Sequence, residues 1–112
     1  MLNEKNIPQA IGQYLAASDA KDAERFVSVF TEDALYHDEG KTYRGWEAIR
    51  DWKRDFDRKL SIANKLLGVS GEGDRFRMQV EASGNFPGSP QVFVFHITLD
   101  PENGLIREMK IE

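Results

Sequence analysis

One carboxylate, Asp38, lies in a segment that is unusually rich in aromatic side chains. Tyr36 precedes it by two positions, and Tyr43, Trp46 and Trp52 follow it. Apolar surroundings disfavour the charged form of a carboxylate, which is one way in which proteins bring the pKa of an acid close to neutral pH. Two interpretations of Asp38 stay open at this point. It is either a tuned acid or base, or a solvated residue at the rim of the fold.

The composition argues against several other kinds of site. The chain has 112 residues, of which 40% are hydrophobic and 30% are charged, and this predicts one globular domain over residues 1–112. It has no cysteine, and its two histidines, His37 and His96, are not spaced as ligands on one helix. We therefore expect no disulfide, no metal site and no cofactor.

The charge and the hydropathy also limit the expected partners. The net charge of −4 argues against nucleic acid, whose phosphates require a basic surface. No apolar run approaches the ~20 residues that span a bilayer, so we expect no membrane segment. The first residues lack the basic start and apolar centre of a signal peptide, and this predicts a cytoplasmic protein.

Three helices are predicted in the first half of the chain. Apolar residues at helical spacing predict the first over residues 7–18, with Asn6 as its cap. A second, short helix begins at Asp22 and buries apolar residues as far as position 30. The third, over residues 45–60, has one apolar stripe that includes either Trp52 or Lys53, and its charged run KRDFDRK is predicted to face solvent.

Five strands are predicted, four of them in the second half. In the first strand, Tyr36 and Asp38 share one face and His37 takes the other, and the segment EGKTYRG that follows is predicted to be a turn. The predicted strands cover residues 34–39, 62–69, 75–83, 92–99 and 105–111. The last four can form an antiparallel meander. Helices on one face of such a sheet make an α+β fold, and a curled sheet leaves a concave, mainly apolar pocket.

The wall of this pocket is expected to coincide in part with the hydrophobic core. Aromatic and methionine side chains at these spacings pack more often than they bind ligands, and here some must do both. A small hydrophobic molecule is the expected ligand. The side chains predicted to line the pocket are Phe30, Tyr36, Trp46, Trp52, Phe56, Met78, Phe95 and Met109.

Two motifs resemble the SnoaL-like and ketosteroid isomerase branch of the nuclear transport factor 2-like superfamily. They are Phe30-Thr31-Glu32-Asp33-Ala34, before the first strand, and Arg44-Gly45-Trp46-Glu47-Ala48-Ile49, at the start of the third helix. The resemblance covers the whole chain. It implies a cystatin-like α+β cone, in which a curved antiparallel sheet wraps around three N-terminal helices and encloses a pocket. It also implies a homodimer through the sheet.

The similarity to ketosteroid isomerase is strongest over the first 40 residues, in the segment QYLAASDAKDAERFVSVFTEDALYHDEG. It implies that Tyr14 is the oxyanion-hole tyrosine and that Asp38 is the general base. The family's second donor, a protonated aspartic acid, aligns with Phe95. A shift of one residue would put His96 there instead, but it would also turn the large apolar residues of that strand outward, so we favour Phe95.

Two functions remain open from the sequence, because this fold hosts many activities and many non-enzymes. The first is a cofactor-independent acid–base isomerase or polyketide cyclase-like enzyme acting on a hydrophobic carbonyl compound. Its catalytic candidates are Asp38, Tyr14 and, in the shifted register, His96. The second is a non-catalytic ligand-binding or dimerisation module of the same fold.

Overall fold

The computed structural model describes residues 7–112, so Asn6, the predicted cap of the first helix, lies outside the described residues. Over this range the chain forms three α-helices and six β-strands. The elements are α1 (Gln9–Asp19), α2 (Ala23–Ser28), β1 (Phe30–Asp38), β2 (Lys41–Arg44), α3 (Gly45–Lys59), β3 (Ile62–Glu72), β4 (Arg75–Gly84), β5 (Gln91–Leu99) and β6 (Ile106–Ile111). None of the helices in this range is both long and apolar enough to cross a membrane.

The six strands form one sheet in the order β2-β1-β6-β5-β4-β3. Strands β3 to β6 make the predicted antiparallel meander, and β1 joins it by pairing with β6 in parallel. The helices cover one face of the sheet, where the inward side chains of β4 are Met78, Val80 and Ala82. These features confirm the predicted α+β class.

Two local predictions were wrong, both next to β1. The segment KTYR, predicted to be part of a turn, forms strand β2, because the connection from β1 needs only Glu39 and Gly40 and leaves four residues free to pair. Phe30, predicted to lie in the second helix, begins β1. The neighbouring strand explains this change, since Val29 accepts a backbone hydrogen bond from Ile106 at 2.8 Å and so draws the chain into the sheet.

The prediction that the run KRDFDRK faces solvent was wrong at Lys53, which is only 1% exposed. Its ammonium group donates to Asp57 Oδ1 at 2.6 Å and to the backbone oxygen of Ser18 at 3.2 Å. It also lies 5.3 Å from the ring centres of both Phe26 and Phe56. Lys53 therefore connects α3 to the last turn of α1, and its charge is compensated by an acid one helical turn away.

We expect Lys53→Met to lower the free energy of unfolding by about 2–4 kcal/mol, because it leaves the largely buried Asp57 carboxylate without its cation. Removing both charges in Lys53→Met/Asp57→Leu should restore most of this loss, since no unpaired buried charge remains. Urea denaturation measures both effects. Lys59→Met, which removes an exposed ion pair on the same helix, is the control and should leave stability nearly unchanged. Equal urea midpoints for Lys53→Met and the wild type would contradict this account.

Candidate functional site

The concave side of the sheet contains an apolar cavity of about 170 Å³ beside the end of β1. Its aromatic wall is formed by Tyr14, Tyr36, Trp52, Phe56, Phe86, Phe93 and Phe95. Apart from the aromatic residues, the polar lining residues are few: Ser18, Asn64, Asp38 and Glu39. The two adjacent acids are the only charged side chains among the described lining residues. A mainly apolar cavity with a few polar groups is the usual form of a small-molecule site.

Asp38 is the last residue of β1, and strand alternation puts its side chain on the same face as the buried Tyr36. The carboxyl group is partly buried, and this burial raises its pKa from 3.8 to about 6. The negative charge of Glu39 also raises the pKa, whereas a hydrogen bond from the Glu39 backbone N–H opposes the change. Asp38 is therefore ionised at neutral pH but takes up a proton only slightly below it.

The hydroxyl groups of Tyr14 and Tyr36 lie 3.2 Å apart inside the fold and form a hydrogen bond. Burial is the main cause that raises the pKa of both phenols, and the charge of Asp38 raises both further. Both hydroxyls consequently keep their protons at neutral pH. When Tyr36 donates to Tyr14, the hydrogen of Tyr14 is left free to donate to a ligand oxygen.

Phe95 and His96 lie on opposite faces of β5. Phe95 faces the cavity, with its ring centre 5.9 Å from that of Tyr14. His96 is on the outer face, where its Nε2 atom lies 3.2 Å from Glu112 Oε2, so it does not reach the cavity as the shifted register would require. The cavity wall at this point of β5 is thus a hydrocarbon ring.

Four residues predicted to line the pocket belong to the core and not to the cavity wall. Phe30, Met78 and Met109 are fully buried, and the indole N–H of Trp46 donates to the backbone oxygen of Phe30 at 2.9 Å. Trp46 and Phe30 pack at the opposite end of β1 from Asp38, whereas the cavity lies at the Asp38 end. Tyr36, Trp52, Phe56 and Phe95 lie in the cavity wall.

The wall also contains Glu39, Asn64 and Phe86, which were not predicted from the sequence. Asn64 had a usable signal, because it alternates with apolar residues on the inner face of β3, where a polar side chain is unusual. Phe86 lies in the loop between β4 and β5, and such a loop has no periodicity from which its direction could be predicted.

His37 lies on the outer face of the sheet, as the alternation of β1 predicted. Its ring nitrogens contact Glu108 Oε2 at 2.7 Å and Thr42 Oγ1 at 2.9 Å. Over residues 7–112, no three side chains of His, Cys, Asp or Glu lie close enough together to hold a metal ion.

Comparison with known proteins identifies the family. A family model for the SnoaL-like domain matches residues 11–109. The chain belongs to the SnoaL-like family. A sequence comparison with curated proteins gives no match.

Three solved structures illustrate the similarity of this SnoaL-like chain to others. A candidate polyketide cyclase from Sinorhizobium meliloti is 26% identical, with a TM-score of 0.91 over 99% of this chain and 100% of that one. A protein of ketosteroid isomerase-like fold from Catenulispora acidiphila, in complex with trimethylamine, is 20% identical, with a TM-score of 0.78 over 94% and 85%. SalBIII, an epoxide hydrolase/cyclase-like enzyme of pyran ring formation in salinomycin, is 21% identical, with a TM-score of 0.77 over 99% and 92%.

The raised pKa of Asp38 predicts that the contribution of this group to the stability of the protein falls with rising pH. Because the folded state binds the proton more tightly than the unfolded chain, this group's contribution is complete below about pH 4 and is lost as pH rises through 6. Asp38→Asn removes the effect and should therefore gain about 1 kcal/mol over the wild type between pH 4 and pH 7, a value reduced for solvent screening.

Urea denaturation at pH 4, 5, 6, 7 and 8 measures this difference. Asp51→Asn, on the exposed face of α3, is the matched control for the change of side chain. Parallel pH curves for Asp38→Asn and the wild type would show that Asp38 ionises as freely in the folded protein as in the unfolded chain.

Proposed function

We propose that this SnoaL-like protein carries out cofactor-independent acid–base chemistry on a small, hydrophobic carbonyl compound. The observation that supports the proposal is the position of Asp38, a carboxyl group with a pKa of about 6 in the wall of an apolar cavity. A general base works best when its pKa is close to the operating pH, because it is then both ionised and basic enough to take a proton.

In the proposed reaction, Asp38 removes a proton from the carbon next to the carbonyl group. The electrons of that C–H bond form a carbon–carbon double bond, and the carbonyl electrons move to the oxygen, which becomes an enolate. Tyr14 donates a hydrogen bond to this oxygen, and Tyr36 supports it by donating to the Tyr14 hydroxyl. With a β,γ-unsaturated ketone this enolate is a dienolate. Asp38 then returns its proton to the γ-carbon, the double bond moves into conjugation with the re-formed carbonyl group, and the product is an isomer of the substrate.

The size of the cavity favours a compact substrate. An engineered cavity of about 150 Å³ holds benzene, and the cavity here is about 170 Å³. Its enclosed part therefore accommodates about one ring, and a larger molecule would have to extend into solvent past Asp38 and Glu39. These two acids, with no cation among the described lining residues, also disfavour an anionic substrate.

The oxyanion would receive fewer hydrogen bonds than in ketosteroid isomerase, because Phe95 cannot donate. Two consequences follow from this single difference. Catalysis by this site should depend strongly on Tyr14, and a second function, ligand binding without turnover, is favoured by the same hydrocarbon ring. That second function is the alternative left open by the sequence.

Proton exchange distinguishes the two functions. With 3-cyclohexen-1-one in D₂O, NMR measures both deuterium uptake at the carbon next to the carbonyl and conversion to the conjugated isomer. We expect Asp38→Asn to slow both by about 10²–10⁴-fold and Tyr14→Phe by about 10²-fold or more. Tyr43→Phe and Asp51→Asn, whose side chains do not line the cavity, should retain at least about half of the wild-type rate.

Unchanged exchange in Asp38→Asn would overturn the catalytic proposal. Saturable binding of the ketone without exchange above the buffer rate, in the wild type as well, would instead support a ligand-binding module.

A homodimer through the outer face of the sheet is also proposed for this protein. Val92, which is 47% exposed, lies on β5, and the inward residues of that strand already face the core. Burying this apolar side chain against a second copy would remove it from water. Sedimentation velocity should give a dimer for the wild type and a weaker one for Val92→Lys, and a wild-type monomer at high concentration would contradict the proposal.

A further inference from the structure

The turn between β1 and β2 has a glutamate where the backbone conformation disfavours one. Asp38 pairs with Lys41, so the loop consists of Glu39 and Gly40 alone, and their φ angles are +51° and +77°. Two-residue hairpins with positive φ at both positions prefer Asn-Gly or Asp-Gly. Asn and Asp tolerate this left-handed conformation because their short side chains bond locally to the backbone, which the longer side chain of glutamate does less well.

This strained residue lies directly beside the candidate base. Glu39 and Asp38 both line the cavity. Among residues 7–112, neither carboxylate forms an ion pair with a lysine, arginine or histidine within 4.0 Å. Two adjacent negative charges without a counter-ion repel each other, and each makes the other harder to form.

On the outer sheet face, the basic side chains nearest the turn contact acidic residues other than Asp38 and Glu39. On that face His37 contacts Glu108 at 2.7 Å. Glu112 contacts both His96, at 3.2 Å, and Lys110, at 3.9 Å.

The other groups facing Asp38 come from the turn itself and from the cavity. Lys41 pairs with Asp38 across the hairpin, but it is exposed and forms no ion pair with Asp38. Tyr14 and Tyr36, on the cavity side, stay neutral because burial raises the pKa of both. Glu39 is therefore the charged group with the most direct influence on Asp38.

We propose that Glu39 is a positioning residue for Asp38, held in a left-handed turn so that its negative charge lies at the cavity rim beside the neighbouring carboxyl group. The consequence of Glu39 for catalysis rests on the proposed function, but the effect of Glu39 on the pKa of Asp38 does not. Burial and then the charge of Glu39 are the two largest causes of the raised pKa of Asp38, in agreement with this role.

Three substitutions separate the charge of Glu39 from its fit to the turn. Glu39→Gln removes the charge and keeps a long side chain. Glu39→Asp keeps the charge and improves the fit to the turn. Glu39→Asn removes the charge and also improves the fit to the turn. Carbon-13 NMR titration of the Asp38 carboxyl group measures its pKa, and thermal unfolding measures stability. Glu102→Gln, in the β5–β6 turn at the far end of β6, is the control for loss of one negative charge.

We expect the pKa of Asp38 to fall by about half a pH unit in Glu39→Gln and Glu39→Asn, the size expected for two carboxylates at a solvated edge. It should stay near 6 in Glu39→Asp and in Glu102→Gln. The melting temperature should rise by roughly 2–5 °C in Glu39→Asn and Glu39→Asp, because these residues fit the turn better.

An unchanged Asp38 pKa in both neutral variants would overturn the proposal, and so would an equal fall in Glu39→Asp, because the turn and not the charge would then be responsible. The pH dependence of ketone proton exchange tests the catalytic consequence separately. In Glu39→Gln the acidic limb of the rate–pH curve should move to lower pH, because the pKa of Asp38 falls. If the pKa falls and the limb does not move, Asp38 is not the base and the proposed function fails, while the inference about Glu39 stands.

Discussion

Tyr36 is the residue on which the arrangement of the whole concave side depends, because it lies where strand β1 meets all three helices. Its ring packs 4.6 Å from Trp52 of α3 and 6.1 Å from Phe26 of α2, measured between ring centres. Its hydroxyl bonds to Tyr14 of α1 at 3.2 Å. A fully buried tyrosine needs a partner for its hydroxyl, so the first helix must lie where Tyr14 can supply one.

The chemistry of the cavity follows from that packing. Strand alternation puts Asp38 on the same face as Tyr36, but at the end of β1, where the core gives way to solvent. Asp38 is consequently desolvated enough to raise its pKa and still reachable by a ligand. The turn that begins at the next residue adds a second negative charge at the same edge. The environment of Asp38 thus results from its position in the strand as much as from the aromatic residues near it in sequence.

Most of the architecture could be predicted, because the spacing of apolar residues indicates the helices, the strands and their inward faces. The alternation in β4 and in Phe95–Leu99 of β5 assigned inward and outward faces correctly, since a slip of one residue would have exposed every large side chain of the strand. Lys53 was misassigned because a charged residue on an apolar stripe is normally exposed. Its burial depends on Asp57 and on a backbone oxygen of Ser18, which lies far away in sequence.

The sequence by itself determined the family fold, the face on which Tyr36 and Asp38 lie, and the preference for Phe95 on the inner face of its strand. These features follow from local periodicity and motif spacing, which are properties of neighbouring residues. Only the tertiary structure decided which core residues border the cavity, how large the cavity is and how far Asp38 is desolvated. Those properties depend on where distant elements come together, since burial and electrostatic interactions act through space.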